Sequence, residues 1–330
     1  MRVFPRPKVV VSKCIEHENV RWDGQIIRNK LVSKMKKYVD LISVCPEVGI
    51  GLGIPRGPIR LVQIDDDIRV LQPDTGIDFT GKMKDFTGFF LESLNGVDGF
   101  ILKGRSPSCG VNDTKLYPNM NAVSSNGKTS GIFSSMILER FSHLPIEEEG
   151  RLENSLIREH FLHRVYTISS FRKVQKSNTL KALIEFHTEN KLLLKTYNQH
   201  RMRVMGRIIA NKNNKPIKNI INEYKTQLFN ALKKAPRYNA YIYTLENKMG
   251  YFKKKLSSDE KQSFLRSLNH YREGKVPLIV PVNIMRSWIN RFEEDYLARQ
   301  TFFEPYPLGL IDIDSDTEAI GTRGQRNEEN

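Results

Sequence analysis

The 330-residue sequence predicts an α/β domain with an open, mostly parallel sheet, followed by an all-α domain. Two observations predict this. Near residue 150 the apolar residues change period, from short β-branched runs alternating with helix-like segments to helix-like segments almost alone. The charge changes at the same place: residues 1–150 hold 20 Lys+Arg against 18 Asp+Glu, 151–310 hold 30 against 13, and the last twenty hold 2 against 6. We therefore read domains at 1–152 and 153–312, with an acidic, aromatic-poor tail at 313–330 that is expected to be disordered. At this length two cores are expected, each large enough to need no staple.

In order along the chain, "PKVVVSKC" is a β-branched run ending at Cys14, and "VDLISVCPE" is a second ending at Cys45. A third strand, 100–103, lies in "GVDGFILKGRSPSCG" and runs into the loop carrying Cys109. Between them "IIRNKLVSKMKKYV" and "TGKMKDFTGFFLESLN" repeat their apolar residues every three to four positions, as helices do. This is a Rossmann-like alternation, in which ligands bind beyond the C-terminal ends of the strands. All three cysteines fall there.

After "IEEEGRLEN" the helical patterns are "SLIREHFLHRVYTISSFRKV", "NTLKALIEFHTENKLLLKTYN", "HRMRVMGRIIAN", "IKNIINEYKTQLFNALKKA", "NAYIYTLENKMGYFKKKL", "SSDEKQSFLRSLNHYREG" and "VNIMRSWINRFEEDYLARQTF". Ser257 or Ser258 starts the sixth as N-cap. "KVPLIVP" reads as a strand-like or extended interruption.

Three cysteines in a chain of this length form no closed disulfide framework, which implies a reducing compartment. The N-terminus lacks a signal-peptide core, and no apolar run approaches the roughly 18–20 residues of a membrane span. A soluble cytoplasmic protein without a membrane partner is the expectation. The net charge of +15 resides in the second half, a footprint for a polyanion, of which nucleic acid is the commonest in that compartment. A merely solvated basic surface is the plainer alternative.

The cysteine spacings match neither a zinc finger nor a CxxC motif. By spacing alone, three unrelated buried thiols are the simpler reading. Their common place after strand ends favours convergence, and three thiolates suit a soft metal or an iron-sulfur cluster lacking a fourth protein ligand. "CPEVGIGLGIPRGPIR" adds Glu47, either a general acid/base beside that metal or a surface carboxylate paired with Arg56. Gly49, Gly51 and Gly53 would let the backbone approach something closely, without forming a dinucleotide fingerprint. Ser106 and Ser108, flanking Pro107, are turn residues or hydroxyls that orient water or substrate. Arg21 and Asp23 in "RWDG" form a loop ion pair or position a polar substrate. "DDD" at 65–67 reads as a solvated turn between the strand-like "IRLVQI" and "IRVLQ", rather than as a metal cluster, and His187 as a helix-packing histidine.

"SKCIEHENVRWDG", "CPEVGIGLGIPRGPIRL" and "LKGRSPSCG" resemble, in order and context, the three motifs of the TudS-like desulfidases, over roughly residues 6–150. "FHTENKLLL", "MGRIIAN", "MGYFKKKLSSDEK", "YREGKVPLIVP" and "YLARQTFFEPYP" resemble the YbgA-like domain. The two together are similar to the fused, RudS-type branch, which removes sulfur from 4-thiouridine in transfer RNA. The resemblance implies a [4Fe-4S] cluster on Cys14, Cys45 and Cys109 with one iron open. It implies Glu47 as acid/base, a site serine at Ser106 or Ser108, hydrogen sulfide as product and no net redox change. Gly127 and Gly131 would preserve turns in the loop after Cys109. For RNA contact we single out "KTYNQHRMRVMGR", "NKNNKPIKN", "KKAPRYNAY" and "GYFKKK", with Arg203 and Lys253 among them. Two alternatives stay open: a desulfidase of free thiouracil or thio-nucleotides, and a non-enzymatic RNA-binding iron-sulfur sensor.

Overall fold

The structure, a computed structural model, describes residues 2–211 and 214–311. It divides into two compact units, one over Pro5–Glu153 and the other over residues 2–4 with those from Asn154 onward. The tail expected to be disordered, 313–330, lies outside the described residues.

In the first unit the elements run β1 (Lys8–Ser12), α1 (Lys30–Met35), β2 (Asp40–Val44), α2 (Pro46–Gly49), β3 (Arg60–Ile64), β4 (Asp67–Gln72), β5 (Ile77–Asp78), α3 (Thr80–Ser93), β6 (Gly99–Leu102), β7 (Thr114–Tyr117), β8 (Gly127–Thr129), α4 (Ile132–Phe141) and β9 (Ile146–Glu148). One sheet has the order β2-β1-β6-β9 and is parallel throughout. Its central strands are continuous apolar runs, Val9 to Val11 and Phe100 to Leu102, buried on both faces. The α/β class is as expected, and the strand-like "IRLVQI" and "IRVLQ" are β3 and β4, but the sequence reading did not place them in a second, mixed sheet, β5-β4-β3-β7-β8. Its strands are short, and Asp65 and Asp66 of "DDD" form the hairpin turn between β3 and β4, with Asp65 left-handed at φ 52°.

The helical unit contains α5 (Ser155–Ser177), α6 (Leu180–Ala210), α7 (Ile217–Ala231), α8 (Tyr238–Met249), α9 (Ser258–Arg272), α10 (Ile279–Arg291) and α11 (Asp295–Ala298). α6 breaks at Asn198, whose φ of −159° is extended and whose Oδ1 accepts from Arg201 N at 3.0 Å. The two helical patterns read on either side of that residue are thus one element capped in its middle. Ser257, not Ser258, caps α9, in a capping box with Glu260.

Two expectations fail here. "KVPLIVP" is not an extended interruption: α10 begins at Ile279, and Pro281 is tolerated in its first turn because an amide there has no intrahelical acceptor. The last helical pattern is not continuous either, since Glu293 turns left-handed at φ 52° and separates α10 from α11.

The chain's first residues also pack into the helical unit. The Phe4 ring meets Tyr166 edge-on at 6.0 Å, and Arg2 reaches Glu189 at 3.3 Å and the Arg299 carbonyl at 3.2 Å.

Three histidines are interior to this unit. His160 and His163 share the Tyr197 hydroxyl through their Nδ1 atoms at 3.0 and 3.2 Å, and His187 Nδ1 meets the Tyr224 hydroxyl at 3.1 Å. Burial holds all three below the usual histidine range, with a further push from Arg164 on His160, His160 on His163 and Lys191 on His187, to about 4, 3 and 4. The unfolded chain therefore takes protons that the folded chain refuses. Stability is full above about pH 6.5 and falls as the pH drops towards 4, by roughly 1.4 kcal/mol per pH unit for each such group. Urea unfolding followed by helical circular dichroism should show a lower midpoint at pH 5 than at pH 7, with part of the difference removed in His163→Gln. Equal midpoints would contradict the burial argument.

Candidate active site

β1, β2 and β6 are adjacent and parallel, so their C-terminal ends open at one edge of the sheet. Cys45 follows β2 directly, Cys14 lies two residues beyond β1, and Cys109 sits at the end of the loop after β6. β1 continues to β2 on one side while β6 continues to β9 on the other. The crevice between β1 and β6 is thus a topological switch point. There a cavity of about 680 Å³ is lined by all three cysteines together with Glu47, Ser106, Ser108, Arg21, Trp22 and Arg56.

Burial makes all three thiols hard to ionise in the protein alone, and neighbouring thiols add to it at Cys14 and Cys109. Cys14 is pushed up to about 12, chiefly by burial and next by Cys45, and Cys45 and Cys109 are raised chiefly by burial. Three thiolates here call for a positive centre. Among the described residues no three His, Cys, Asp or Glu side chains are grouped to hold a single metal ion. One zinc would need its sulfurs about 2.3 Å from a common point. By the chemistry of the donors, three thiols lining one cavity suit a soft, thiolate-bound metal centre.

Glu47 lies in α2, two residues after Cys45. Its Oε2 accepts from Arg56 Nη2 at 2.6 Å and Nε at 3.0 Å, and its Oε1 accepts from the Ser108 hydroxyl at 2.8 Å. The pairing with Arg56 is therefore real but not a surface one: the two side chains are 5% and 13% exposed, Arg56 first. Arg56 is itself anchored on the Gly53 and Val20 carbonyls. This leaves the carboxylate fixed in the cavity wall.

The two serines have different tasks. Ser106 Oγ accepts from the Ser108 and Cys109 amides at 3.3 and 3.2 Å, which closes the turn around Cys109, and lies 3.0 Å from Ser108 Oγ. Ser108 alone reaches Glu47. With both lone-pair directions of Ser106 taken by amides, its proton points to Ser108, whose own proton goes to Glu47.

The loop carrying Cys109 is held by the start of α4. Ile132 N donates to the Pro107 carbonyl, Ser134 N to that of Ser108 and Gly131 N to that of Gly110. Amides that would otherwise lack partners at a helix start thereby fix the ligand loop. The expected turn-preserving role of Gly127 and Gly131 is not what the structure has, since neither takes a positive φ. Gly131 is required for close approach: a Cβ there would lie 2.4 Å from the Ser108 oxygen and 2.7 Å from that of Pro107. A Cβ on Gly127 would meet nothing within 4 Å. Of the earlier glycines, Gly49 makes room for the Phe86 ring, Gly51 is left-handed at φ 89°, and Gly53 has only an ordinary contact.

Family models match both units. The model for 2-thiouracil desulfurase covers residues 9–149, and that for a protein of unknown function, DUF1722, covers 191–307. The chain joins a 2-thiouracil desulfurase domain to a DUF1722 domain. Its basic half is similar to the "Uncharacterized protein YbgA" of Escherichia coli strain K12, at 23% identity over 156 residues, 47% of this chain and 89% of that protein. Among solved structures, the [4Fe-4S]-dependent thiouracil desulfidase TudS is 25% identical, with 44% of this chain and 93% of that one covered and a TM-score of 0.37.

Within the desulfurase domain Asp23 stands apart from the cavity lining. It pairs with Arg21 at 3.6 Å and accepts from the Gln25 amide at 3.1 Å, so it shapes its own loop. Arg203 and Lys253 are exposed residues of the helical unit. Sequence reasoning missed the cations at the cavity: Lys103, paired with Glu149, and Arg60, Lys115 and Lys128 on the second sheet. Lys115 and Lys128 are directly opposite across β7 and β8. Their alternation with Leu116, Thr114 and Thr129 was a readable signal only once that hairpin was recognised.

Gly131→Ala should lower the stability of the desulfurase domain by about 1–3 kcal/mol through overpacking against backbone, while Gly127→Ala stays within about 0.5 kcal/mol of the parent. Thermal unfolding of the two variants side by side checks this, and equal midpoints would contradict the steric argument.

Proposed function

We propose that the chain is a desulfidase that replaces the thiocarbonyl sulfur of 4-thiouridine in transfer RNA by oxygen, giving uridine and hydrogen sulfide. The observation that carries this reading is the convergence of three strand-end thiols and the Glu47–Ser108 pair on one cavity of a 2-thiouracil desulfurase domain. Cys14, Cys45 and Cys109 would hold a [4Fe-4S] cluster and leave one iron without a protein ligand, since the chain has no fourth cysteine. When bound, that cluster supplies a Lewis-acidic iron for the thiocarbonyl sulfur.

The chain's own residues supply the proton traffic. Glu47 Oε1 takes a proton from water as its oxygen adds to the ring carbon and passes it to the sulfur; as the C–S bond breaks and C=O forms, Glu47 takes the remaining hydroxyl proton and passes it to the departing sulfur as well. One water is consumed and one hydrogen sulfide is released for each C=S converted to C=O, so no oxidant or reductant is needed. Arg56 keeps the carboxylate oriented through Oε2, and Ser108 holds Oε1 towards the cavity.

The cations at the cavity support a phosphate-bearing substrate. Like charges directly opposite across strands are destabilising, yet Lys115 and Lys128 face each other with no carboxylate paired to either among the described residues. A phosphodiester backbone would relieve that repulsion, and the basic helical unit would extend the same attraction.

After anaerobic reconstitution, loss of thiocarbonyl absorbance with transfer RNA and not with free 4-thiouracil is expected. Loss with the free base alone would overturn the RNA substrate, and no loss with either would overturn the desulfidase reading. Alanine at Cys14, Cys45 or Cys109 should abolish both bound iron and turnover. Glu47→Gln should retain iron and labile sulfide while turnover falls by about 10²–10⁴-fold; parental turnover would remove Glu47 from the mechanism. Lys115→Ala with Lys128→Ala should raise KM for RNA more than kcat falls, and an unchanged KM would exclude the hairpin from substrate binding.

A further inference from the structure

We propose that Trp22 stacks on the target base, replacing the neighbours that a thiolated nucleotide loses when it is drawn out of its strand into the cavity. The inference rests on the RNA-substrate reading and concerns how a single base is brought to the thiols.

Trp22 stands at the tip of the loop that follows β1. The base of that loop is closed by a parallel bridge between Ile15 and Ile27, where Ile27 N donates to the Cys14 carbonyl at 2.8 Å. At the tip Gly24 N donates to the Arg21 carbonyl at 2.9 Å, and Gly24 takes a φ of 72°, so Trp22 and Asp23 are the two central residues of a tight turn. Arg56 joins the loop to the acid/base group. Its amide donates to the Trp22 carbonyl at 2.9 Å, while its Nη2 donates to the Val20 carbonyl at 3.1 Å and to Glu47 Oε2 at 2.6 Å. None of these bonds uses the indole. The ring is thus carried on a backbone fixed to Cys14 at one point and to Glu47 at another.

The indole itself has no other task in the protein. It is 48% exposed at the cavity, and among the described residues no ring or cation stacks on it and its N–H meets no protein acceptor. Tryptophan ordinarily contributes by burying a large flat surface. Trp288, the other one in the chain, does so, 5% exposed against Phe252 and Phe264. Single exposed rings elsewhere, such as Phe89 on α3, are ordinary surface. Trp22 differs in belonging to the wall of the cavity that holds the reacting groups.

That cavity, about 680 Å³, has the size that encloses one small ligand, and Cys109 within it is only 4% exposed. A ring atom in a stacked strand does not reach such a place unless its nucleotide is extruded, which forfeits the stacking on both of its faces. An aromatic platform restores part of that loss whatever the base, since every base has a flat face.

The test uses the reconstituted full chain under anaerobic conditions and two substrates, 4-thiouridine-containing transfer RNA and an RNA hairpin with one 4-thiouridine in its stem and 2-aminopurine as the next nucleotide. Trp22→Leu should lower kcat/KM on both about tenfold or more, and Trp22→Phe should recover it to within about threefold of the parent. Iron and labile sulfide per chain should stay parental in both variants, because the loop is fastened through its backbone and Arg56. On mixing with the hairpin, the parent and Trp22→Phe should raise the 2-aminopurine emission as its stacked neighbour leaves, and Trp22→Leu should leave most of it quenched. Phe89→Leu, which removes an exposed ring away from the cavity, should match the parent throughout.

Parental kcat/KM in Trp22→Leu would overturn the proposal, as would a parental rise in emission in that variant or no rise with the parent. Loss of iron in Trp22→Leu would also overturn it, by making the ring a structural part of the loop, and so would an equal loss of kcat/KM in Phe89→Leu. If the unsubstituted chain desulfurates neither RNA, the substrate reading itself fails, an outcome distinct from a parent that turns over and a Trp22→Leu variant that turns over equally well.

Discussion

Three parallel strands held in register are the constraint on which the site depends. Val11 is paired with Ser43 on one side and Ile101 on the other, so β2, β1 and β6 end nearly level. Thiols placed just past β1 and β2 and in the loop after β6 reach the same cavity, although the cysteines stand far apart along the chain. A one-residue slip of β1 would turn every side chain of the strand to the opposite face, and a strand buried on both faces has no tolerance for that. The burial of Val9, Val10 and Val11 therefore fixes the position of Cys14 as firmly as it fixes the core.

The third thiol needs a different device, because its loop is longer. There the start of α4 and the loop satisfy each other, with helix amides on loop carbonyls and a glycine where the two backbones meet. The same short loop carries Ser106 and Ser108. Ligand position, serine orientation and the direction of Glu47 are consequently set by one shared group of hydrogen bonds. A change in any of these residues is felt by the others.

Much of this was legible in the sequence, for physical reasons. Strongly β-branched runs ending in cysteine signalled strand ends, and the parallel arrangement followed from the helical segments between them. The break of α6 at Asn198 lay where the helical pattern was interrupted, and the capping box of α9 is a local signal. What could not be read was non-local or short. The second sheet consists of strands of two to six residues, and its two halves are joined by the pairing of β3 with β7, which lie far apart along the chain. Arg56 looked like a surface partner for Glu47 because its burial depends on the Val20 loop folding over it. The choice between Ser106 and Ser108 required a distance. The start of α10 was misread because Pro277 and Pro281 flank apolar residues, and proline marks an extended segment and a helix's first turn equally well.

The docking of Arg2 and Phe4 has a consequence for dissecting the protein. By composition the natural cut is near residue 150, yet a helical fragment beginning there would lack the Phe4 ring against Tyr166 and the guanidinium on Glu189. Its surface would carry an unfilled apolar notch and an unneutralised acid that the intact chain does not have. A soluble helical fragment is therefore better designed as a circularly connected one, with the opening tetrapeptide grafted back by a short linker.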